Sequence, residues 1–158
     1  MKMRYARILP AFVALGLAAA SIAQAAPDFS GAWELNTSKG KNIGMMAAVK
    51  ETIVVKQTAD TLTVESSSTF QGNTTKRTVT YDLKGNPVEN EGAMGGRAET
   101  LARWDGGKLV VTWTSEGAIA GTKVVRTETR SLAADGKTMT VVSQRGENPA
   151  MEMVYEKK

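Results

Sequence analysis

The sequence contains no cysteine and no histidine, and these two absences exclude several classes of function. Without cysteine, the chain has no disulfide, no thiol nucleophile and no thiolate metal site. Without histidine, it lacks the most frequent general base and metal ligand. It contains neither a Gly-x-Ser-x-Gly motif nor a glycine-rich phosphate loop. No spacing of carboxylate, lysine or tyrosine singles out a catalytic pair, so we expect no catalytic residue, no metal site and no cofactor.

An excess of charge of one sign is also missing from most of the chain. The whole sequence has 20 basic and 16 acidic residues, but residues 1–25 contribute three basic residues and no acidic one. The remainder therefore carries 17 basic and 16 acidic side chains, a net charge of +1. Such a chain has no basic field to attract nucleic acid or an anionic membrane. Its length of about 133 residues predicts one domain.

Residues 1–25 have the order of features found in a secretory signal peptide. Lys2, Arg4 and Arg7 precede an apolar run over 8–20, and Ala23 and Ala25 stand where a signal peptidase reads small residues. The apolar run is shorter than the roughly 20 residues that cross a bilayer, which argues against a membrane span. We therefore expect cleavage before Ala26, a mature domain over 26–158, and a periplasmic or secreted protein.

The first stretch after this segment has a strand pattern with a large aromatic anchor. Phe29, Gly31, Trp33 and Leu35 share one phase of period two, which places them on one face of a strand. Tryptophan buries a large area, and a nearby glycine lets another segment approach the backbone closely. We expect the first strand of a closed barrel, with Trp33 plugging one end. A sandwich with a core tryptophan is the alternative.

A linker over 36–50 follows this strand. Residues 43–50 are predicted to form one helix of two turns that includes Met45 and Met46. Its flexible methionine side chains suit a lid over a pocket, whereas the simpler interpretation is a helix that caps one barrel end. Both interpretations place the helix at the mouth of the barrel.

The rest of the chain alternates between strands and turns. Asp105-Gly106-Gly107 and Asp135-Gly136 are strong hairpin signals. The segment 83–96 is glycine-rich and is expected to be mostly loop, with room for one short edge strand. The predicted strands cover 51–57, 61–70, 74–82, 97–104, 108–115, 122–132, 137–145 and 150–157. This pattern predicts an all-β, antiparallel up-and-down barrel of 8–10 strands, in which the last strand pairs with the first. A two-sheet sandwich is the main rival.

Several short motifs resemble those of the calycin superfamily. The spacing Phe29-x-Gly31-x-Trp33-x-Leu35 resembles the start of fatty-acid-binding proteins, and its Gly-x-Trp core is similar to the lipocalin signature. Ser68-Thr69-Phe70, the Asp-Gly-x-Leu hairpin and the closing Tyr155-Glu156-Lys157 also resemble that superfamily. The resemblance implies an exported, bacterial lipocalin-like barrel that binds a small apolar molecule. The chain departs from fatty-acid-binding proteins in its short linker, and in having Met153 where they carry an arginine.

The strand over 122–132 decides what faces the barrel interior. If Leu132 points inward, Arg126, Glu128 and Arg130 share its phase. An interior arginine suits a ligand carboxylate because it can bind both oxygens. In the opposite phase, the same three residues would form a solvated ladder outside the barrel. The resemblance implies that Arg130 lies near a family arginine that contacts a carboxylate, and that Tyr155 stands at the family's tyrosine.

These patterns together predict an exported, monomeric protein that holds a small hydrophobic or amphipathic ligand inside a β-barrel. The alternative function is a secreted protein-binding barrel, such as a protease inhibitor. We expect no nucleic-acid partner. The residues expected to contact the ligand are Val111, Trp113, Arg126, Arg130, Met139, Met153 and Tyr155.

Overall fold

The structure is a computed structural model that describes residues 26–92 and 95–158, in which ten antiparallel strands form one sheet. Two 3₁₀ turns, Thr37–Lys39 and Gly44–Ala48, lie between the first two strands. The strands are β1 Gly31–Leu35, β2 Lys50–Gln57, β3 Thr61–Phe70, β4 Asn73–Asp82, β5 Val88–Glu91, β6 Arg97–Asp105, β7 Lys108–Glu116, β8 Lys123–Leu132, β9 Thr138–Arg145 and β10 Met151–Lys157.

The predicted all-β barrel is confirmed, including the pairing of its first and last strands. The sheet runs β4-β3-β2-β1-β10-β9-β8-β7-β6-β5, so β1 and β10 are neighbours in its middle. Trp33 lies opposite Lys157, and Leu35 lies opposite Tyr155. Each strand is hydrogen-bonded to the next along this order. The inward-facing residues of the ten strands, every second residue of each, therefore surround one core.

The barrel is nearly closed, and a seam remains between the two end strands of the sheet, β4 and β5. Asn90 of β5 bridges the seam by bonding both backbone groups of Thr80 on β4: its Nδ2 donates to the carbonyl oxygen (2.8 Å), and its Oδ1 accepts from the backbone N–H (3.0 Å). Nδ2 also lies 2.8 Å from Oγ1 of Thr100 on β6. The side-chain amide of Asn90 thus makes the kind of hydrogen bonds that backbone peptide groups make between neighbouring strands elsewhere in the sheet.

The hairpin signals at the two Asp-Gly turns are also confirmed. Gly106 and Gly107, between β6 and β7, have φ of +52° and +81°. A tight two-residue hairpin loop requires such left-handed values, which glycine adopts at little cost. This turn sets the register of the following strand, and so determines which residues of β7 face the interior.

The prediction of a two-turn helix over 43–50 is wrong, although one short helical element does lie at the mouth. Within 43–50 the chain forms one 3₁₀ turn, Gly44–Ala48, and Asn42 and Gly44 have positive φ values of 54° and 52°. Lys41 is held by a backbone bridge to Glu152 on β10, which fixes where the linker crosses the barrel rim. A helix of two turns gains too few internal hydrogen bonds to override these tertiary restraints.

Trp33 and its aromatic neighbours form a buried part of the core. Trp33 is fully buried, and its Nε1 donates to the carbonyl oxygen of Phe29 (2.9 Å). Phe29 stacks on Trp104, with ring centroids 6.1 Å apart. A Cβ added to Gly31 would lie 2.9 Å from Cε of Lys157, so this glycine does permit the close approach that the sequence predicts. The prediction that Trp33 anchors the core is confirmed.

The expected signal peptide, residues 1–25, lies outside the residues that the structure describes. Within the described ranges, no helix has the length and apolar character needed to cross a bilayer.

Candidate ligand-binding cavity

A cavity of about 220 Å³ occupies the half of the barrel interior nearest the 3₁₀ turn at Gly44–Ala48. Its charged wall residues are Glu51, Arg77, Arg126, Glu128 and Arg130. Its aromatic wall residues are Tyr81, Trp113 and Tyr155, and its apolar ones are Met46, Ile53, Val64, Val79, Val141, Met151 and Met153. The wall is therefore amphipathic, with ion-pairing groups and hydrocarbon surface in the same small space.

Strand β8 supplies the central charges of this wall. Glu128 and Arg130 are only 5% and 7% exposed, and Arg126 is partly buried. They face the cavity with every second residue of the strand, in the phase set by Leu132. The alternative of a solvated ladder outside the barrel is therefore wrong.

Glu128 lies between the two arginines and pairs with both. It forms a short hydrogen-bonded ion pair with Arg130, and one of its oxygens is 3.8 Å from Nη1 of Arg126. Burial alone would lower the pKa of Arg130, but the carboxylate of Glu128 and the nearby tyrosine side chains outweigh it and raise that pKa above its usual range. Arg130 therefore stays charged, and Glu128 is its main counterion.

Arg77 on β4 is the third arginine of the wall and has a different set of partners. Its Nη2 donates to the carbonyl oxygen of Glu91 across the seam, and its guanidinium carbon lies 5.3 Å from the ring centre of Trp113. Its Nε is buried without a hydrogen-bond partner. In the part of the chain that the structure describes, Arg77 makes no ion pair with a carboxylate.

Trp113 on β7 lies at the meeting point of the cationic and aromatic wall residues. The guanidinium carbon of Arg126 is 4.6 Å from its ring centre, closer than that of Arg77. Tyr81 meets the same ring edge-on, with centroids 5.9 Å apart and planes at 88°. Both arginines are thus attracted to the negative face of the indole, while its own Nε1–H is buried without an acceptor.

A carboxylate and a phenol form a second polar contact on the cavity wall. The hydroxyl of Tyr155 donates to Oε2 of Glu51 (2.7 Å), whose other oxygen accepts from Oγ of Ser68 (2.7 Å). Burial, followed by the charge of Glu51, raises the pKa of Tyr155 well above its ordinary value. Burial and the charge of Glu128 likewise raise the pKa of Tyr81. Both phenols are therefore neutral near neutral pH.

Five of the seven predicted contact residues lie on the cavity wall: Trp113, Arg126, Arg130, Met153 and Tyr155. The other two, Val111 and Met139, are completely buried in the packed core and do not line this cavity. Their side chains point inward as expected, but at a level of the barrel that neighbouring side chains fill. Binding of a ligand by any of the seven stays a prediction.

Sequence reasoning missed two charged wall residues, Arg77 and Glu51. The signal was present, because period two from Val79 and Tyr81 places Arg77 inward, and period two from Ile53 places Glu51 inward. Each stands in a run of polar residues, where the pattern alone is typical of a solvated strand.

The cavity wall shows no clustering of ligands suited to a metal ion. Among the described residues, no three of the acidic side chains stand close enough together to hold one.

Comparison with known proteins finds similarity of fold without similarity of sequence. No protein-family profile and no curated protein matches the chain. A solved structure described as the REP1-NXSQ fatty acid transporter is similar, with a TM-score of 0.62 and 17% identity over 82% of this chain and 95% of that one. Lipid binding protein 8 of Caenorhabditis elegans has a TM-score of 0.64 and 15% identity, over 82% of this chain and 95% of that one.

A variant of the fluorescent protein UnaG has a TM-score of 0.63 and 18% identity, over 82% of this chain and 96% of that one. The likeness to these three structures confirms the barrel fold that the sequence motifs predict. At these identities the likeness shows the fold alone.

Proposed function

We propose that this protein binds a small hydrophobic or amphipathic molecule inside its barrel. The observation that carries the proposal is the cavity of about 220 Å³, whose wall combines apolar side chains with buried, ordered charges. A cavity in the mouth of a β-barrel, with few polar groups among apolar ones, is the usual form of a small-molecule site. Two of the similar barrels are described as a fatty acid transporter and a lipid binding protein, which supports the same class of ligand.

A ligand at this site would make two kinds of contact with the cavity wall. Apolar atoms of the ligand would lie against Ile53, Val64 and Met153, where each buried methylene contributes about 0.8 kcal/mol before the costs of association. The arginines would orient a polar or charged end of the ligand. Because each arginine already has partners in the cavity wall, this second kind of contact would add specificity more than strength.

Calorimetric titration with a set of acids, alcohols and apolar dyes tests this proposal. We expect saturable binding with one site per chain for at least one of these classes. Met153→Trp would fill the cavity from its wall and should abolish that binding, whereas Val125→Trp, on the exposed outer face of β8, should leave it unchanged. Absence of saturable binding, or equal binding by the Met153→Trp variant, would exclude a ligand site in the cavity.

We also propose that the protein is exported, because Lys2, Arg4 and Arg7 precede an apolar run and a pair of small residues at 23 and 25. N-terminal sequencing of the protein recovered from outside the cytoplasm should begin at Ala26 or within a residue or two of it. A protein that still begins at Met1 would contradict export by this route.

A further inference from the structure

The cavity is small for the ligands that barrels of this size commonly enclose. Pockets that bury a drug-sized molecule measure about 300–1,000 Å³. The cavity here, at about 220 Å³, lies below that range. The interior therefore favours a compact ligand, such as an acid with a chain of about six to eight carbons or one aromatic ring with a carboxylate.

The charges of the wall do not balance. Three arginines, Arg77, Arg126 and Arg130, face two carboxylates, Glu51 and Glu128. The two wall tyrosines stay neutral because burial raises their pKa values. Arg77 and Arg126 are partly exposed to solvent, and the surplus positive charge of the wall would attract an anion with one negative charge, which would neutralise it.

The surplus charge can be assigned to one side chain. Arg126 and Arg130 share the carboxylate of Glu128, and Glu51 is engaged by Tyr155. Arg77 has only the neutral carbonyl oxygen of Glu91 as an acceptor among the described residues, and its Nε has none.

Trp113, 4% exposed and next to Arg77, adds a second donor without an acceptor, its Nε1–H. A buried donor left unpaired costs about 1–3 kcal/mol, so this corner of the wall is stabilised by any ligand that brings an oxygen acceptor. Nε of Arg130 is a third buried N–H without an acceptor, but the guanidinium of Arg130 already pairs with Glu128. The unpaired N–H groups of Arg77 and Trp113 therefore mark the place where the head group of a ligand would be held.

We infer that the cavity selects a compact amphipathic monoanion, a short-chain or single-ring carboxylic acid, whose head group lies at Arg77 and Trp113. The inference rests on the proposed function and specifies its ligand class. The tail would extend toward Met46 and Met153 near the mouth. This head-group position differs from the one expected from the sequence, in which the head group lies toward Arg126 and Arg130, with Tyr155 nearby.

A chain-length series measures the size limit. Binding of straight-chain acids of four to sixteen carbons by calorimetry should strengthen about fourfold per methylene up to about eight carbons, because each added group is buried. Beyond that length the affinity should stop rising, since further methylenes remain outside the cavity. An affinity that keeps rising by the same factor up to sixteen carbons would overturn the size limit.

Variants of Arg77 test the head-group position. Arg77→Met should weaken binding of hexanoate by about 10- to 100-fold, as expected for loss of a hydrogen bond to a charged group, and should change binding of hexanol by less than about threefold. Arg77→Lys keeps the charge and should recover part of the loss. Arg103→Met removes an exposed charge from the outer face of β6 and is the matched control, with no expected effect.

Because Arg77 also bonds across the seam, a second variant keeps the test independent of folding. Trp113→Phe retains a smaller aromatic ring and removes the unpaired N–H donor, and it too should weaken binding of hexanoate more than binding of hexanol. If hexanoate binds both variants as tightly as the original protein, the head group does not lie at Arg77 and Trp113. If acids, alcohols and dyes all fail to bind the original protein, the proposed function itself fails.

Discussion

Asn90 bonds both the N–H and the carbonyl group of Thr80 through one side chain, and this pair is one of the hydrogen-bonded links between the end strands of the sheet. Neighbouring strands elsewhere exchange backbone hydrogen bonds along their length. At the seam, side chains make the hydrogen bonds instead: the amide of Asn90 bonds Thr80, and Arg77 donates to the carbonyl oxygen of Glu91. The link between the end strands thus depends on polar residues that a hydrophobic pattern cannot reveal.

Replacing Asn90 should therefore loosen the seam. Asn90→Ala removes hydrogen bonds to Thr80 and Thr100 and leaves partly buried backbone groups unpaired, which should lower the free energy of unfolding by about 2–3 kcal/mol. Amide hydrogen exchange should accelerate in β4 and β5 more than in β1 and β10. Asn86→Ala, in the exposed loop between β4 and β5, is the control and should cost less than about 1 kcal/mol. Equal exchange rates in all four strands would contradict the role of Asn90.

Replacing Glu128 should lower the stability of the fold and strengthen the binding of anions. Glu128→Gln leaves Arg126 and Arg130 without their shared counterion, which should lower the free energy of unfolding by about 3–5 kcal/mol in urea. The same change raises the positive charge of the cavity and removes a competitor, so an acid ligand should bind more tightly. Glu99→Gln, on the exposed face of β6, should change both quantities little. A variant with weaker acid binding would show that Glu128 positions the arginines rather than competing for them.

Trp33 should be among the most costly residues to truncate. Trp33→Ala removes a fully buried indole and its hydrogen bond to Phe29, and the free energy of unfolding should fall by about 3–5 kcal/mol. Trp33→Phe keeps most of the packing and should cost less. Urea unfolding followed by circular dichroism gives both values. A loss below about 1 kcal/mol for the alanine variant would mean that the end of the barrel is not closed by this side chain.

High pH should destabilise the fold through its two buried tyrosines. The pKa of Tyr81 and that of Tyr155 are raised above the ordinary value of 10.0, so the folded protein keeps both phenolic protons at a pH where the unfolded chain loses them. The free energy of unfolding should therefore be constant with respect to these groups below about pH 9 and should fall as the pH rises above about 10. Urea unfolding at a series of alkaline pH values measures the slope.

Tyr81→Phe should reduce this alkaline slope, because one of the two raised phenols is then absent. Near-ultraviolet absorbance of tyrosinate provides an independent check, since ionisation should coincide with unfolding. In the chain over 26–158, which contains no tyrosine besides Tyr81 and Tyr155, tyrosinate that forms near pH 10 while the protein remains folded would contradict the burial of both rings.

The fold could be predicted from the sequence because two local signals agree at nearly every strand. Alternation gives the face of each strand, and turns such as the one at Asp105-Gly106 give its ends, so β3 begins and ends at the predicted residues 61 and 70. The linker could not be predicted in the same way. Its conformation depends on Lys41 meeting Glu152 on β10, a contact across more than a hundred residues that no local pattern encodes.

The site was predictable only in part. A period of two residues shows whether a side chain points into the barrel, but it does not show at which level of the barrel that side chain lies. Val111 and Trp113 share a strand and a phase, but the first lies in the packed half of the barrel and the second on the cavity wall. Which of them can meet a ligand depends on how side chains from other strands fill each level. Arg77 lies on the cavity wall but was not predicted there. Its phase in β4 places it inward, but the run of polar residues at the start of that strand is typical of an exposed segment.

The neighbouring position of β1 and β10 has a consequence for how the chain could be rearranged. Because Trp33 lies opposite Lys157, a short peptide could join the end of β10 to the start of β1 without displacing either strand. Opening the chain in the loop between β4 and β5 would then place the new ends at the seam, where the sheet has no backbone ladder to break. The resulting circular permutant would run from β5 to β4 in spatial order, each strand followed by its neighbour, so every strand pairing in the barrel would become local.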